Sequence, residues 1–138
     1  MNKNIEIIQP DDWHVHFREG DMLEMVTNFS SRINNRCVAM PNTKIPITDT
    51  NKASAYKELL NKASSNNFEP LIPCYLNENL DLEDFRKGMQ NKVFFGSKLY
   101  PSNATTNSSH GVSDISKIFK FLEILEEEKS PLLIHGEK

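Results

Sequence analysis

The sequence lacks a hydrophobic run that approaches the about 20 apolar residues of a membrane-spanning helix. Its first residues also lack the basic and then apolar segments of a secretory signal peptide. Lysine and arginine form no cluster, and the 138 residues carry a net charge of -3, so no electrostatic feature favours nucleic acid or an anionic membrane as a partner. These absences predict a cytoplasmic protein that acts on a small molecule.

Cysteine is scarce as well. The two cysteines, Cys37 and Cys74, lie in separate apolar runs and form no close pair of the kind that binds zinc or carries out redox chemistry. We therefore expect two buried thiols. The composition, with 38% hydrophobic and 25% charged residues, is that of one ordinary globular domain.

What the sequence does contain is an alternation of short β-type runs and amphipathic helical segments, which is typical of β/α units around a parallel sheet. The predicted strands are residues 5–16, 36–40, 70–76, 93–100 and 131–135. Four helices are predicted between them, with N-caps at Asp21, Thr50, Asp81 and Ser113. In the first helix, apolar residues recur at helical spacing: Met22, Met25, Val26, Phe29 and Ile33.

The number of units suggests the architecture. Parallel strands need helices on both faces of the sheet or closure into a barrel. A complete (β/α)₈ TIM barrel takes about 250 residues, or roughly 30 per unit. The α/β pattern of residues 1–138 therefore predicts about the first half of a single barrel domain, strands one to five, with the remainder absent from this sequence.

Two histidines stand near the end of the first predicted strand. His14 and His16 should point to the same face, about 6 to 7 Å apart along the strand, and both can then reach one metal ion. The residues between and around them, Trp13, Val15 and Phe17, would face the opposite side and pack as core.

A third histidine, His135, ends the fifth predicted strand. The carboxyl ends of parallel strands meet at one edge of the fold, where α/β proteins place their sites. A single histidine there is more often structural, but three together favour a metal site, since imidazole is the commonest metal ligand.

Lys98 lies in the apolar run 93–100 and leaves two interpretations open. It is either a lysine that extends to solvent from a strand end, or a lysine among apolar walls and metal ions whose lowered pKa allows the neutral amine to react.

The polar run 101–112 follows the fourth predicted strand. It is either a solvated surface loop or a lid over the site, a frequent role of loops this long; His110 within it is interpreted as a loop residue.

Arg18, just beyond the histidine pair, is either a surface charge or a bidentate partner for a substrate carboxylate. Asn42 follows the second strand and is a further candidate.

Five segments together resemble the dihydroorotases of the amidohydrolase superfamily, in their shorter, bacterial-type form. These segments are, in order, DDWHVHFREGDML, VAMPNT, PCYL, GSKLYPSNATTNSSHGV and PLLIHGE. The HxH motif alone would indicate only the superfamily, whereas the segment KLYPSNATTNSSHGV is far more specific.

This resemblance implies a distorted metal-dependent hydrolase barrel with two zinc ions. His14, His16 and a carboxylated Lys98 would bind the more buried ion, and the same bridging carbamate and His135 would bind the second. Substrate would be held by Arg18, Asn42, Thr105 and Thr106, the threonines belonging to a mobile loop.

The implied reaction is the reversible hydrolysis of dihydroorotate to N-carbamoyl-L-aspartate in pyrimidine biosynthesis, and the family also implies a homodimer. In the family, an aspartate at the end of the eighth strand transfers the proton. These 138 residues contain no match to this general base, so we expect them to be inactive alone.

Two alternatives stay open. One is another cyclic-amide hydrolase, of the hydantoinase or allantoinase type, which the combination of Arg18, Asn42 and Thr105 with Thr106 disfavours. The other is a non-catalytic barrel partner, which the intact set of ligand matches disfavours.

Overall fold

The computed structural model describes residues 4–136. Its strands are β1 (Asp11–Val15), β2 (Arg36–Ala39), β3 (Glu69–Leu71), β4 (Cys74–Leu76), β5 (Ser97–Leu99) and β6 (Leu132–Ile134). Its helices are α1 (Asp21–Ile33), α2 (Thr50–Ala63), α3 (Leu82–Gln90) and α4 (Phe119–Glu127), the last preceded by a 3-10 turn, Ile115–Ile118. Among these described helices, none has the length and apolar character needed to cross a membrane.

The strands form two parallel three-stranded sheets, with the orders β1-β2-β3 and β4-β5-β6. The third predicted strand is therefore divided: its first part pairs with β2 and its second part with β5. Only Ile72 and Pro73 separate the two parts, and Pro73 has no N–H with which to continue a ladder. The predicted parallel α/β pattern is confirmed, and the strands follow one another in chain order across the two sheets.

The core lies between these strands and helices α2, α3 and α4. Each helix buries apolar residues, including Ala53, Tyr56 and Leu60 of α2, Phe85 and Met89 of α3, and Phe121 and Ile124 of α4. Both cysteines are buried, as predicted. Burial raises the pKa of the Cys37 thiol to about 11 and that of Cys74 well above its usual range, so both are inert thiols at neutral pH.

Three of the four predicted N-caps are wrong by one residue, since the structure places the caps at Gly20, Asp49 and Asp114. Thr50 is the first residue of α2, and its hydroxyl donates to Asp84 Oδ1 at 2.5 Å instead of capping its own helix. Asp81 is confirmed as the cap of α3, since its carboxylate accepts from the backbone N–H of Asp84 at 2.8 Å.

The first segments depart most from prediction. Residues 4–10 form no strand, so β1 is much shorter than the predicted run 5–16. Trp13, predicted to pack as core, is 51% exposed; its ring lies 6.0 Å from that of Phe95. Val15 and Phe17 are buried as predicted.

Helix α1 turns most of its apolar stripe outward. Four of the five stripe residues, here termed the α1 face, are 50–63% exposed: Met22, Met25, Phe29 and Ile33. Val26 packs partly against the core, and the buried residues of α1 are Leu23, Thr27 and Ser31. Helix α1 therefore packs against the rest of the protein with its less apolar side, which helical periodicity did not indicate.

Candidate metal and substrate site

His14 lies in β1 and His16 directly follows it, so the alternation of the extended chain directs both imidazoles to one side. Their Nε2 atoms are 3.3 Å apart and their ring centroids 5.2 Å apart. The predicted common direction of the two rings is confirmed. At this separation one ring must be the donor and the other the acceptor when both are neutral.

Both imidazoles are held in the neutral form. Burial is the main cause that lowers the pKa of His16 to about 4, with the charge of Arg18 adding to it and a hydrogen bond that the ring donates to Asn42 opposing it. Burial also lowers the pKa of His14, helped by the charges of Lys98 and His135. Neutral imidazole is the form that binds a metal ion.

Lys98 is at the centre of β5, where its register partners are Tyr75 on β4 and Leu133 on β6. The residue is only 3% exposed, and its Nζ lies 5.2 Å from the centre of the Tyr100 ring. Burial lowers the pKa of its amine. The interpretation of a lysine that extends into solvent is therefore wrong.

His135 directly follows β6, and its backbone N–H donates to the carbonyl of Leu99 at 3.0 Å. Its ring centroid is 5.7 Å from that of Tyr100. Within residues 4–136, no three side chains of the types His, Cys, Asp and Glu gather as a metal-binding group. The structure instead brings two imidazoles together, with Lys98 and His135 grouped around the Tyr100 ring.

Asn42 is buried where the chain leaves β2, with 3% exposure. Its Oδ1 accepts from the Tyr100 hydroxyl at 3.0 Å, and its Nδ2 donates to the carbonyl of Thr106 at 3.0 Å. Its own carbonyl accepts from Asn107 Nδ2 at 3.0 Å. Asn42 thus connects the strand ends to residues 101–112, which we call the site loop.

Two tyrosines that the sequence analysis did not select complete this network. The Tyr75 hydroxyl donates to the carbonyl of Asn107 at 3.1 Å, and the rings of Tyr75 and Tyr100 stack with centroids 5.1 Å apart. Burial raises the pKa of Tyr75 to about 12 and also raises that of Tyr100, so both are protonated donors. Their position beside site candidates was the only available signal, because a tyrosine in an apolar strand is usually core.

Arg18 lies in the turn between β1 and α1 with a φ of 63°, a left-handed conformation that is uncommon for a residue with a side chain. Its carbonyl accepts from the Tyr56 hydroxyl at 3.1 Å, which ties this turn to α2. The side chain is exposed, and its charge contributes to the lowered pKa of His16. The guanidinium is thus close enough to the histidine pair to affect its protonation.

The two predicted loop threonines differ in environment. Thr105 is half-buried, and its backbone N–H donates to the Ser108 hydroxyl at 2.8 Å within a turn of the site loop. Thr106 is exposed and contributes its carbonyl to Asn42. Binding of substrate by their hydroxyls stays a prediction.

A cleft of about 680 Å³ borders the site loop. Its lining includes Lys52, Glu78, Asp81 and His110, and none of the predicted metal or substrate residues. Volume alone would place the site there, but the convergent donors lie at the strand ends. His110 is exposed, in agreement with its interpretation as a loop residue.

No protein-family model matches the chain. Among curated proteins, it is 47% identical over 135 residues to a dihydroorotase from Salmonella arizonae and to one from Escherichia fergusonii. Each match covers 96% of this chain but 39% of the relative. The chain thus spans about two fifths of the length of these relatives.

Solved structures give a consistent result. A dihydroorotase from Saccharomyces cerevisiae, crystallised with 5-fluoroorotic acid, matches 94% of this chain with a TM-score of 0.86 and 34% identity. A dihydroorotase from Campylobacter jejuni matches with a TM-score of 0.85 and 37% identity. These matches cover 36% and 38% of those chains. An L-hydantoinase from Arthrobacter aurescens, at 16% identity and a TM-score of 0.72, shares the fold alone.

The parallel β/α arrangement, with donor side chains gathered at the strand ends, places this chain in the structural class that dihydroorotases and hydantoinases have in common. Within that class, the chain is a relative of the dihydroorotases, and the resemblance inferred from its motifs is confirmed.

Proposed function

We propose that the protein containing this chain is a zinc-dependent dihydroorotase, in which these residues form part of a (β/α)₈ barrel and much of its active site. The observation that carries the proposal is the pair of imidazoles whose Nε2 atoms lie 3.3 Å apart at the end of β1, close enough to the buried Lys98 of β5 for its charge to lower the pKa of His14. The similarity to dihydroorotases over 96% of the chain supports the same activity.

The donor set fits two zinc ions. His14 and His16 present neutral nitrogens to the same side, and imidazole nitrogen is a common zinc ligand. Carboxylation of Lys98 would turn a buried cation into an anionic ligand able to bridge two ions, and the lowered pKa of its amine favours that reaction. His135, grouped with Lys98 around the Tyr100 ring, would complete the set.

The substrate would be oriented by groups around this centre. The Arg18 guanidinium matches a carboxylate in charge and geometry. The Asn42 amide nitrogen carries two hydrogens, of which one is used by Thr106, so the other is available to substrate. Thr105 and Thr106 would add hydroxyl contacts from the site loop, which the network around Asn42 already holds against the strand ends.

The reaction is hydrolysis of a cyclic amide: the ring C–N bond breaks, oxygen from water joins the carbonyl carbon, and the ring nitrogen gains a proton. Zinc, when bound, would supply polarisation of the amide carbonyl and a water of lowered pKa. The zinc would be held by neutral His14 and His16 and by the Lys98 carbamate. The carboxylate of the substrate would be held by Arg18 and Asn42.

The decisive test is Lys98→Ala in the protein expressed from its complete natural coding sequence. We expect zinc content to fall and dihydroorotate hydrolysis to drop at least about 10²-fold, because a lost bridging ligand removes both metal affinity and transition-state stabilisation. Lys62→Ala is the matched control, since Lys62 is exposed on α2 and pairs with Glu58. Full zinc content and full activity in Lys98→Ala would refute the mechanism.

Substrate class is tested in the same preparation. Faster turnover of dihydroorotate than of hydantoin supports the proposal, whereas the reverse preference would assign the protein to the hydantoinase type.

A cytoplasmic location is proposed from the sequence pattern, and a homodimer is proposed from the family resemblance alone.

A further inference from the structure

One phenol ring touches both halves of the candidate site. The Tyr100 ring lies 5.2 Å from Lys98 Nζ and 5.7 Å from the His135 ring, while its hydroxyl donates to Asn42 Oδ1 at 3.0 Å. The residue is 1% exposed, so its position is fixed by packing on all sides. A single rigid side chain therefore relates the proposed metal ligands to a proposed substrate ligand.

Tyr75 extends this arrangement to the site loop. It is fully buried, stacks on Tyr100 with centroids 5.1 Å apart, and donates to the carbonyl of Asn107. Asn107 in turn donates to the Asn42 carbonyl and has a φ of 56°. The Tyr75 hydroxyl and the amides of Asn42 and Asn107 thus bind an otherwise exposed loop to the strand ends, and the Tyr100 hydroxyl holds the Asn42 amide in place.

The hydrogen bonds also fix which way the Asn42 amide faces. Tyr100 donates to Oδ1, and Thr106 offers a carbonyl to Nδ2. With the amide turned over, two carbonyl oxygens would face each other without a hydrogen between them, which is unfavourable in a buried site. The orientation that presents N–H groups to the loop side is therefore the stable one.

We propose that Tyr75 and Tyr100 are positioning residues for substrate binding: Tyr100 sets the amide of Asn42, and both tyrosines hold the site loop over the strand ends. The inference rests on the proposed function for its substrate, and on the geometry alone for the loop. Neither tyrosine touches the reacting atoms in this scheme.

The test uses Tyr75→Phe and Tyr100→Phe in the protein expressed from its complete natural coding sequence. Each change keeps the stacked ring and removes one hydroxyl. The control for hydrogen exchange is Tyr56→Phe, which loses an equivalent bond at 3.1 Å to a backbone carbonyl, that of Arg18, outside the site loop. The control for KM is Lys62→Ala, at an exposed residue of α2 far from these bonds. A further variant, Asn107→Gly, removes the amide bond to Asn42, leaves the core untouched and suits the left-handed backbone at this position.

The first readout is amide hydrogen exchange of residues 101–112. Loss of one hydrogen bond that fastens the loop should raise its exchange rates about fivefold in Tyr75→Phe, Tyr100→Phe and Asn107→Gly. The rates should be unchanged in Tyr56→Phe. Unchanged exchange rates in Tyr75→Phe, Tyr100→Phe and Asn107→Gly would overturn the proposal. An equal rise of the rates in Tyr56→Phe would also overturn it.

The second readout separates positioning from a general structural defect. The KM for dihydroorotate should rise several-fold, because the apparent affinity falls in proportion to the fraction of molecules in which the loop is closed. Zinc content and kcat per zinc should stay within about twofold. Loss of zinc without a change in KM would show that Tyr100 supports the metal site and would refute its action through Asn42. If the parent protein does not turn over dihydroorotate, the proposed function fails, and hydrogen exchange alone still decides whether the tyrosines hold the loop.

Discussion

At the scale of single residues, Tyr56 shows how a helix side chain can set the conformation of a distant turn. Its hydroxyl donates to the carbonyl of Arg18, a residue held in the left-handed region with a φ of 63°. Such a conformation persists only where surrounding contacts compensate for its cost. The direction of the Arg18 side chain thus depends on a residue almost forty positions away in the chain.

We expect Tyr56→Phe to lower the free energy of unfolding by about 1 kcal/mol, the usual net value of one such hydrogen bond. Because the turn is less well held, the KM for dihydroorotate should also rise while kcat stays the same. Urea unfolding and steady-state kinetics of the protein expressed from its complete natural coding sequence measure the two effects. A loss of stability with an unchanged KM would show that the hydroxyl does not position Arg18.

At the scale of elements, Glu78 fastens the start of the last helical segment to the loop after β4. One of its carboxylate oxygens accepts from the hydroxyl of Ser113 and from the backbone N–H groups of Ser113 and Asp114, and the other pairs with Lys117. These bonds, led by that from the Ser113 hydroxyl, lower the pKa of Glu78 from 4.5 to about 2.

This pKa shift has a definite sign for stability. A carboxyl with a lowered pKa in the folded state stabilises it above its unfolded pKa, and the contribution is lost as the pH falls toward the folded pKa. Glu78→Gln should therefore be less stable than the parent at neutral pH, and the difference should shrink between about pH 4.5 and about pH 2. The difference between the two proteins isolates Glu78 from the nearby Asp114, which also has a lowered pKa.

Thermal unfolding of the protein expressed from its complete natural coding sequence, at a series of pH values, checks this prediction. Glu123→Gln on α4 serves as a control for the loss of one carboxylate elsewhere in the same helical segment. A difference between Glu78→Gln and the parent that is constant with pH would contradict the assignment.

At the scale of the whole molecule, the described residues 4–136 leave apolar surface and strand edges uncovered. Within the described residues, β1 pairs only with β2 and β6 only with β5. The α1 face adds four large apolar side chains that are 50–63% exposed. Contiguous patches and free edges of this kind promote association.

We expect the isolated 138-residue chain to self-associate and to unfold without a cooperative transition. Replacing two residues of the α1 face, Met25→Lys with Phe29→Lys, should reduce association, because charge breaks the contiguous patch. Leu59→Lys is the control, since Leu59 is similarly exposed, at 52%, but lies on α2. Sedimentation velocity measures the association, and urea unfolding measures the cooperativity. A parent chain that is monomeric and unfolds cooperatively would contradict the prediction.

The site was predictable from sequence where local geometry decided it. The alternation of a strand sufficed to place His14 and His16 on one side. The apolar run around Lys98 left two interpretations open, and only the structure decided that this lysine is buried. Tyr75 and Tyr100 were not predictable, because their roles depend on partners in other elements. The predicted cap at Thr50 was wrong by one residue because its hydroxyl bonds Asp84, a residue outside its own helix.

The sequence by itself determined the order of strands and helices, the common face of the histidine pair and the resemblance to dihydroorotases, because periodicity and motifs are properties of neighbouring residues. The tertiary structure alone decided that the third predicted strand serves two sheets, that the α1 face points outward and that Asn42 is held between Tyr100 and the site loop. Each of these depends on packing and hydrogen bonds between segments far apart in the chain, which local sequence patterns do not encode.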